Sequence, residues 1–183
     1  MRRWLLPIAA VAVVVAAAGL YWFQPWRLVT NKTVHDALPE IVATTAPTSA
    51  TAAPATGSPA TAAPATKAAA VLVAEGSFVS HEHATKGRAQ LVRQPAGTYQ
   101  VILRDLDTSD GPDLRVWLTD QPVGDDWFTF DDGRYVEVGK LKGNRGTQVY
   151  TVPATVDVTG LRSVSIWCKR FSVSFGAAPL AGA

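Results

Sequence analysis

The sequence predicts an all-β domain, an antiparallel β-sandwich or a barrel-like relative of one. It is expected outside a membrane, behind one transmembrane helix and a disordered Ala/Pro/Thr-rich stalk. Three observations predict this. Beyond Glu75 the chain is a succession of short runs in which apolar and polar residues alternate, separated by Gly, Pro and Asp, the pattern of half-buried strands and tight turns. Ahead of these runs, Trp4 to Phe23 is a stretch of twenty residues without a charge. Between the two, residues 42–70 are almost wholly Ala, Thr, Pro, Ser and Gly.

The uncharged stretch is long enough as a helix to match the roughly 30 Å hydrocarbon thickness of a bilayer. Trp4, Tyr21, Trp22 and Trp26 stand at its two ends, where aromatic side chains sit at membrane interfaces. The small residues Ala16, Ala17, Ala18 and Gly19 also allow a cleaved signal peptide, but the apolar run continues past them into Leu20 to Phe23, which favours an uncleaved anchor. Arg2, Arg3 and the terminal amine precede the span, while Arg27 and Lys32 follow it. Charge therefore points to a cytoplasmic N-terminus, and with the stalk it places the C-terminal domain outside the cytoplasm, on a single-pass cell-membrane protein. The chain divides into an anchor at 1–26, a juxtamembrane segment and stalk at 27–70, and a β domain at 71–183. Residues 42–70 carry too little apolar surface to offset the entropy of ordering them.

The formal net charge of +2 does not indicate a nucleic-acid partner. From Glu75 onward twelve Lys and Arg face thirteen Asp and Glu, so the basic excess belongs to the membrane-flanking part.

Strands are expected at Val71–Val79, Arg88–Gln94, Tyr99–Leu106, Asp113–Thr119, Gly133–Val138, Gln148–Val152 and Thr155–Val158, and on either side of Cys168. The last stretch, Ser163 to Gly176, is the most informative. Val164, Ile166 and Cys168 alternate with Ser163, Ser165 and Trp167, and the alternation resumes one residue out of step as Phe171, Val173 and Phe175. Keeping one face inward across that slip needs a bulge or a sharp bend at Cys168 to Phe171.

Four groups of residues are candidates for chemistry. Asp105, Asp107, Asp110 and Asp113 crowd four carboxylates into nine residues, but Asp110 and Val116 stand where an EF-hand needs Gly and Glu, so an Asx-rich turn is expected. His81 and His83 are two apart and on a strand would face one side, as a two-histidine metal site requires; with Cys168 they would offer two imidazoles and a thiolate, and strand-end histidines without a metal are the plainer alternative. Gly139 to Gly146 is a glycine-punctuated basic loop without a Walker pattern, expected as a turn between strands. Cys168, the single cysteine, has no partner for an internal disulfide. Lys169 and Arg170 follow it, and nearby cations favour a thiolate. Neither a C-x-x-C pair nor a G-x-S-x-G elbow is present to indicate an enzyme.

Five blocks carry a family resemblance: Gly76-Ser77-Phe78; His83 to Gly87; Leu106 through Leu118, containing Gly111-Pro112-Asp113-Leu114-Arg115-Val116-Trp117; Gly139 to Pro153; and Ile166 to Gly176. In order and spacing they resemble the DM thirteen domain family across Glu75 to Leu180. The resemblance implies an electron-transfer module in which Cys168 aligns with the family's proposed redox cysteine.

Two functions from different classes follow. One is a surface redox module using Cys168, with a metal or haem held at His81 or His83 and a redox partner. The other is a non-catalytic scaffold or adhesion module that binds a protein or glycan of the cell envelope. A sulfur enclosed in an apolar core favours the second; an accessible sulfur near His83 favours the first.

Overall fold

The computed structural model describes residues 2–42 and 69–182. The stretch expected as a stalk, apart from its ends, lies outside the described residues. Helix α1 spans Arg2–Phe23 and a 3-10 turn follows at Pro25–Leu28. By length and composition, Pro7 to Arg27 is apolar enough to cross a membrane, and none of it is buried against the rest of the chain.

The remainder is two facing sheets. One contains β1 (Thr33–His35), β2 (Ile41–Val42), β3 (Ala70–Ser77), β5 (Lys86–Arg93), β6 (Tyr99–Asp107), β9 (Arg145–Thr151) and β12 (Ala181–Gly182), in the order β1-β9-β6-β5-β3-β12 with β2 also on β3. The other is β4 (Val79–Ser80), β11 (Val173–Pro179), β10 (Ser163–Cys168), β7 (Leu114–Thr119) and β8 (Tyr135–Lys140), in the order β4-β11-β10-β7-β8. Leu91, Val101 and Leu103 from the first sheet meet Val116, Leu118, Val164, Ile166 and Phe175 from the second in one core. This is the sandwich that the alternation predicts.

Two features differ from the sequence expectation. Thr155 to Val158 is not a strand. Pro153 begins a turn closed by Val156 N–H donating to its carbonyl, and Val156 and Val158 pack on the core without joining a ladder. The sheet is mixed rather than purely antiparallel, because β1 runs parallel to β9 and β2 parallel to β3. Those two strands come from the juxtamembrane segment, whose short lengths carry no readable period.

The juxtamembrane segment is therefore built into the domain. Lys32 N–H donates to Asn144 Oδ1 at 2.7 Å, and Asp36 N–H to the Thr147 carbonyl at 2.9 Å. Lys142 pairs with the Asp36 carboxylate and holds it below the usual carboxylate range. Ile41 lies beside Ala70 and Val42 beside Val71, so the two ends of the Ala/Thr/Pro-rich stretch start and finish at adjacent positions on β2 and β3. The span reaches the domain through residues 24–42.

The glycine-punctuated loop acquires a reason here. A Cβ on Gly146, at φ +94°, would lie 2.1 Å from the Val34 carbonyl oxygen, and one on Gly143 would lie 2.3 Å from that of Lys32. These glycines let β1 lie against the start of β9. Replacing Gly146 with Ala is expected to lower the thermal midpoint of the detergent-solubilised chain by several degrees, for a cost of about 1–3 kcal/mol. An unchanged midpoint would show that β1 is not held against β9.

Candidate functional site

Strand β10 is buried at every residue. Val164, Ile166 and Cys168 point into the core between the sheets. Trp167 points the other way, into a second cluster with Trp117, Phe130 and Ala177, capped by the irregular segment between β7 and β8 that contains the 3-10 turn Thr129–Asp131. Aromatic side chains stack through this outer cluster. Tyr135, which is 44% exposed, lies on Trp117 with ring centroids 4.1 Å apart and planes 12° from parallel. Trp117 lies in turn on Trp167 at 4.8 Å and 22°. Both indoles are buried, and Trp167 precedes Cys168 in the chain. Phe130 meets Trp167 edge-on at 6.4 Å and faces His81 at 5.5 Å, and His81 lies over Trp127 at 6.2 Å. Such offset and edge-to-face pairs are the favoured aromatic geometries.

The phase slip at Cys168 resolves into two separate features. Lys169 to Ser172 form a hairpin turn, with Ser172 at φ +49°. The pairing of β10 with β11 then jumps from Trp167↔Ser174 to Ile166↔Gly176, leaving Phe175 as a bulge residue. The Phe175 carbonyl accepts from His81 N–H, His83 N–H and Thr85 Oγ1 at 3.1, 3.3 and 3.0 Å. That convergence bends residues 81–83, so the expectation that both imidazoles project from one face of a strand is not met.

His81 turns into the outer cluster. Its Nδ1 shares a 2.9 Å hydrogen bond with Ser174 Oγ, which accepts from Ser165 Oγ at 3.0 Å. If Ser174 donates onward, the ring proton sits on Nε2, an atom that has no hydrogen-bond partner, as does Trp117 Nε1. Burial pushes the His81 pKa down, partly opposed by the backbone of Gly124. His83 instead packs on the Phe175 ring, with centroids 4.0 Å apart.

Cys168 is enclosed, with no exposed surface. Burial raises its thiol pKa, outweighing the backbone amides of Phe171, Arg170 and Asp113. The neighbouring cations do not reverse this, because both are engaged elsewhere. Lys169 Nζ lies 3.7 Å from Glu137, and Arg170 Nη1 donates to the Tyr21 and Trp22 carbonyls at the end of α1. A thiolate at Lys169 and Arg170 is thus not what the geometry favours, and the sulfur meets the enclosed-core criterion.

Among the described residues no three His, Cys, Asp or Glu side chains gather as a metal site. The four aspartates disperse to separate partners: Asp107 to Arg145 at 3.0 Å, Asp110 to Arg27 at 3.4 Å and Asp113 to Arg115 at 2.7 Å, while Asp105 N–H bonds Thr147 Oγ1. Asp110 also accepts from Gly111 N–H at 2.8 Å, so one carboxylate of the expected Asp-rich turn satisfies a backbone amide there.

Sequence reasoning missed the aromatic stack. Its signal was present in Trp117 and Trp167, two indoles on the nominally solvent-facing parity of their strands, where a lone exposed sheet face would not keep them.

A β-sandwich that encloses a lone thiol on one face of a strand and carries a stack of two buried tryptophans and a half-exposed tyrosine on the other defines a module in which readily oxidised side chains run from the interior to the surface. Residues 77–180 match the family described as Electron transfer DM13, and the chain belongs to that family. No curated protein and no solved structure matches it.

Two consequences of the burial are measurable. Cys168 should react with an alkylating agent only after unfolding, and Cys168→Ser should cost about 1–3 kcal/mol because it leaves a buried hydroxyl short of partners. Reaction of the folded chain would show the sulfur accessible. Stability should also fall at both ends of the pH range. A thiol raised above its unfolded pKa of about 8.5 favours the fold below that pH and loses its contribution as pH rises toward the folded value. An imidazole at His81 lowered below about 6.5 favours the fold above that pH and loses its contribution as pH falls. Chemical denaturation from pH 5 to 10 should give a plateau near neutrality, and His81→Asn should shrink the acid-side decline, leaving the part that the half-buried His83 contributes.

Proposed function

We propose that this chain is a membrane-anchored, extracytoplasmic electron-transfer module whose electrons travel along the Trp167, Trp117 and Tyr135 stack, with Cys168 next to its inner end. The observation that carries this reading is the stack itself, which runs in contact from a half-exposed phenol to the indole preceding the cysteine. Indoles and phenols are the side chains, with thiols, that give up single electrons most readily, and electronic coupling falls steeply with distance, so stacked rings are favourable steps. Burial that keeps Cys168 protonated works against thiol exchange and thiolate metal binding, both of which need the thiolate. A redox role for this sulfur would therefore run through Trp167 by electron transfer, which needs no exposure.

The balance is simple. A one-electron oxidant removes an electron from Trp167, leaving an indole radical cation. An electron from Trp117 fills that vacancy, Tyr135 restores Trp117 as its phenolic proton passes to water, and a one-electron donor at the surface, with a proton from water, restores Tyr135. Trp117→Phe keeps an aromatic ring in place but interrupts the readily oxidised series. After photo-oxidation of the indoles and freeze-quenching, electron paramagnetic resonance should show a tyrosyl radical in the wild type that is lost in Trp117→Phe. An equal radical yield in both would contradict the route.

Anchoring is supported by α1, which is long and apolar enough to cross a membrane. Protease added to intact cells should cleave the domain. Protection until lysis would place the domain in the cytoplasm.

The enclosed sulfur also favours a second reading, a non-catalytic scaffold or adhesion module that binds an envelope protein or glycan. Absence of any radical transfer to Tyr135 would select it.

A further inference from the structure

On the opposite side of β11 from the aromatic stack, at the level where α1 ends, the structure contains an apolar pocket of about 330 Å³, within the range of small-molecule sites. Phe23 and Pro25 form its membrane-proximal wall, Phe171 and Val173 come from the β10–β11 hairpin, and Phe175 and His83 form its domain wall. Its walls are fastened to one another. Phe23 stacks on Phe171 with centroids 6.0 Å apart and planes 20° from parallel, Arg170 holds the last carbonyls of α1, and Arg27 pairs with Asp110 across the rim.

Of the polar groups lining this pocket, Gln24, Arg27 and Asp110 are paired with one another at the rim and Glu82 is exposed to solvent, which leaves His83 as the unpaired group on the aromatic wall. His83 lies half-buried against the Phe175 ring, and neither of its ring nitrogens has a hydrogen-bond partner among the described residues. Burial lowers its pKa, opposed in part by Glu82, so at neutral pH the ring is neutral and one nitrogen has a lone pair free to accept. An aromatic wall with a neutral acceptor set against it suits a flat ring that bears a hydroxyl. A pocket that opens where a membrane span ends suits a ligand that arrives through the bilayer. Val173, which lines the pocket, is paired directly with Cys168, so the ligand would lie one strand away from the sulfur.

We infer that this pocket binds the ring of a lipid-soluble quinol, with His83 accepting a hydrogen bond from a ring hydroxyl and Phe171 and Phe175 packing on its faces. The inference rests on the membrane-anchored, electron-transferring reading above, for which such a carrier is a donor that the bilayer can deliver.

The test uses the full chain in phosphatidylcholine nanodiscs with the short-chain ubiquinol-1 as probe. The sequence has three histidines, so nitrogen-15 labelling of the imidazoles resolves His83 from His35 and His81. Ubiquinol-1 should shift the His83 ring nitrogens saturably and leave those of His35 unmoved, whereas farnesol, an isoprenoid alcohol without the ring, should shift neither. By calorimetry, His83→Leu should bind ubiquinol-1 about tenfold more weakly, the loss expected for one hydrogen bond, and Phe171→Ala should also bind more weakly. No saturable shift, an equal shift with farnesol, or unchanged affinity in His83→Leu would overturn the site. Because Trp117→Phe does not touch this pocket, loss of the radical route with quinol binding intact, or the reverse, separates failure of one reading from failure of the other.

Discussion

Strand β10 has no solvent-facing side, and the rest of the domain is arranged to satisfy that condition. A strand in a two-layer sandwich ordinarily buries one face. Here Val164, Ile166 and Cys168 fill the core between the sheets while Ser165 and Trp167 are covered as well. The cover is an irregular segment that inserts Phe130 over Trp167 and places Trp127 against His81. Burying two serines in this outer layer demands hydrogen bonds, which Ser163 finds in the Gln121 carbonyl and Ser165 in Ser174. His81 continues that polar line, and the bulge at Phe175 supplies the carbonyl that holds residues 81–83 in place.

From the same constraint comes the separation of two kinds of chemistry. The thiol is on the inner face, protonated and sealed; the oxidisable rings are on the outer face and reach the surface at Tyr135. The cations beside the cysteine in sequence are spent on structure, Lys169 near Glu137 and Arg170 at the end of α1, where its guanidinium also lies 5.4 Å over the Trp22 ring. A basic side chain at a helix C-terminus is favourably placed against the helix dipole. The hairpin turn after Cys168 thus serves as a fastening between span and domain, and β1 is a second fastening through Gly143, Asn144 and Gly146.

Much of this was legible in the sequence because period-two alternation is a strong local signal. It placed β5, β6, β7 and β8 to within a few residues, and it put Cys168 on the same parity as Val164 and Ile166. What was not legible depends on distant residues. The burial of Trp167 needs Phe130, which no local pattern ties to it. The bend at His81 to His83 needs a carbonyl from Phe175, more than ninety positions away. The strands β1 and β2 are three and two residues long, too short for any alternation, and exist because β9 and β3 present edges to them. Thr155 to Val158 reads as a strand by composition, but Pro153 lacks the N–H to begin one.

The claim on which the electron-transfer reading most depends is that Tyr135, Trp117 and Trp167 exchange single electrons within one molecule. Pulse radiolysis with the azide radical, which oxidises indoles, measures this directly on the unmodified chain. The stack predicts that the indole radical absorption decays into phenoxyl absorption with a rate independent of protein concentration. A decay that scales with concentration, or an indole radical that disappears without forming phenoxyl, would contradict it.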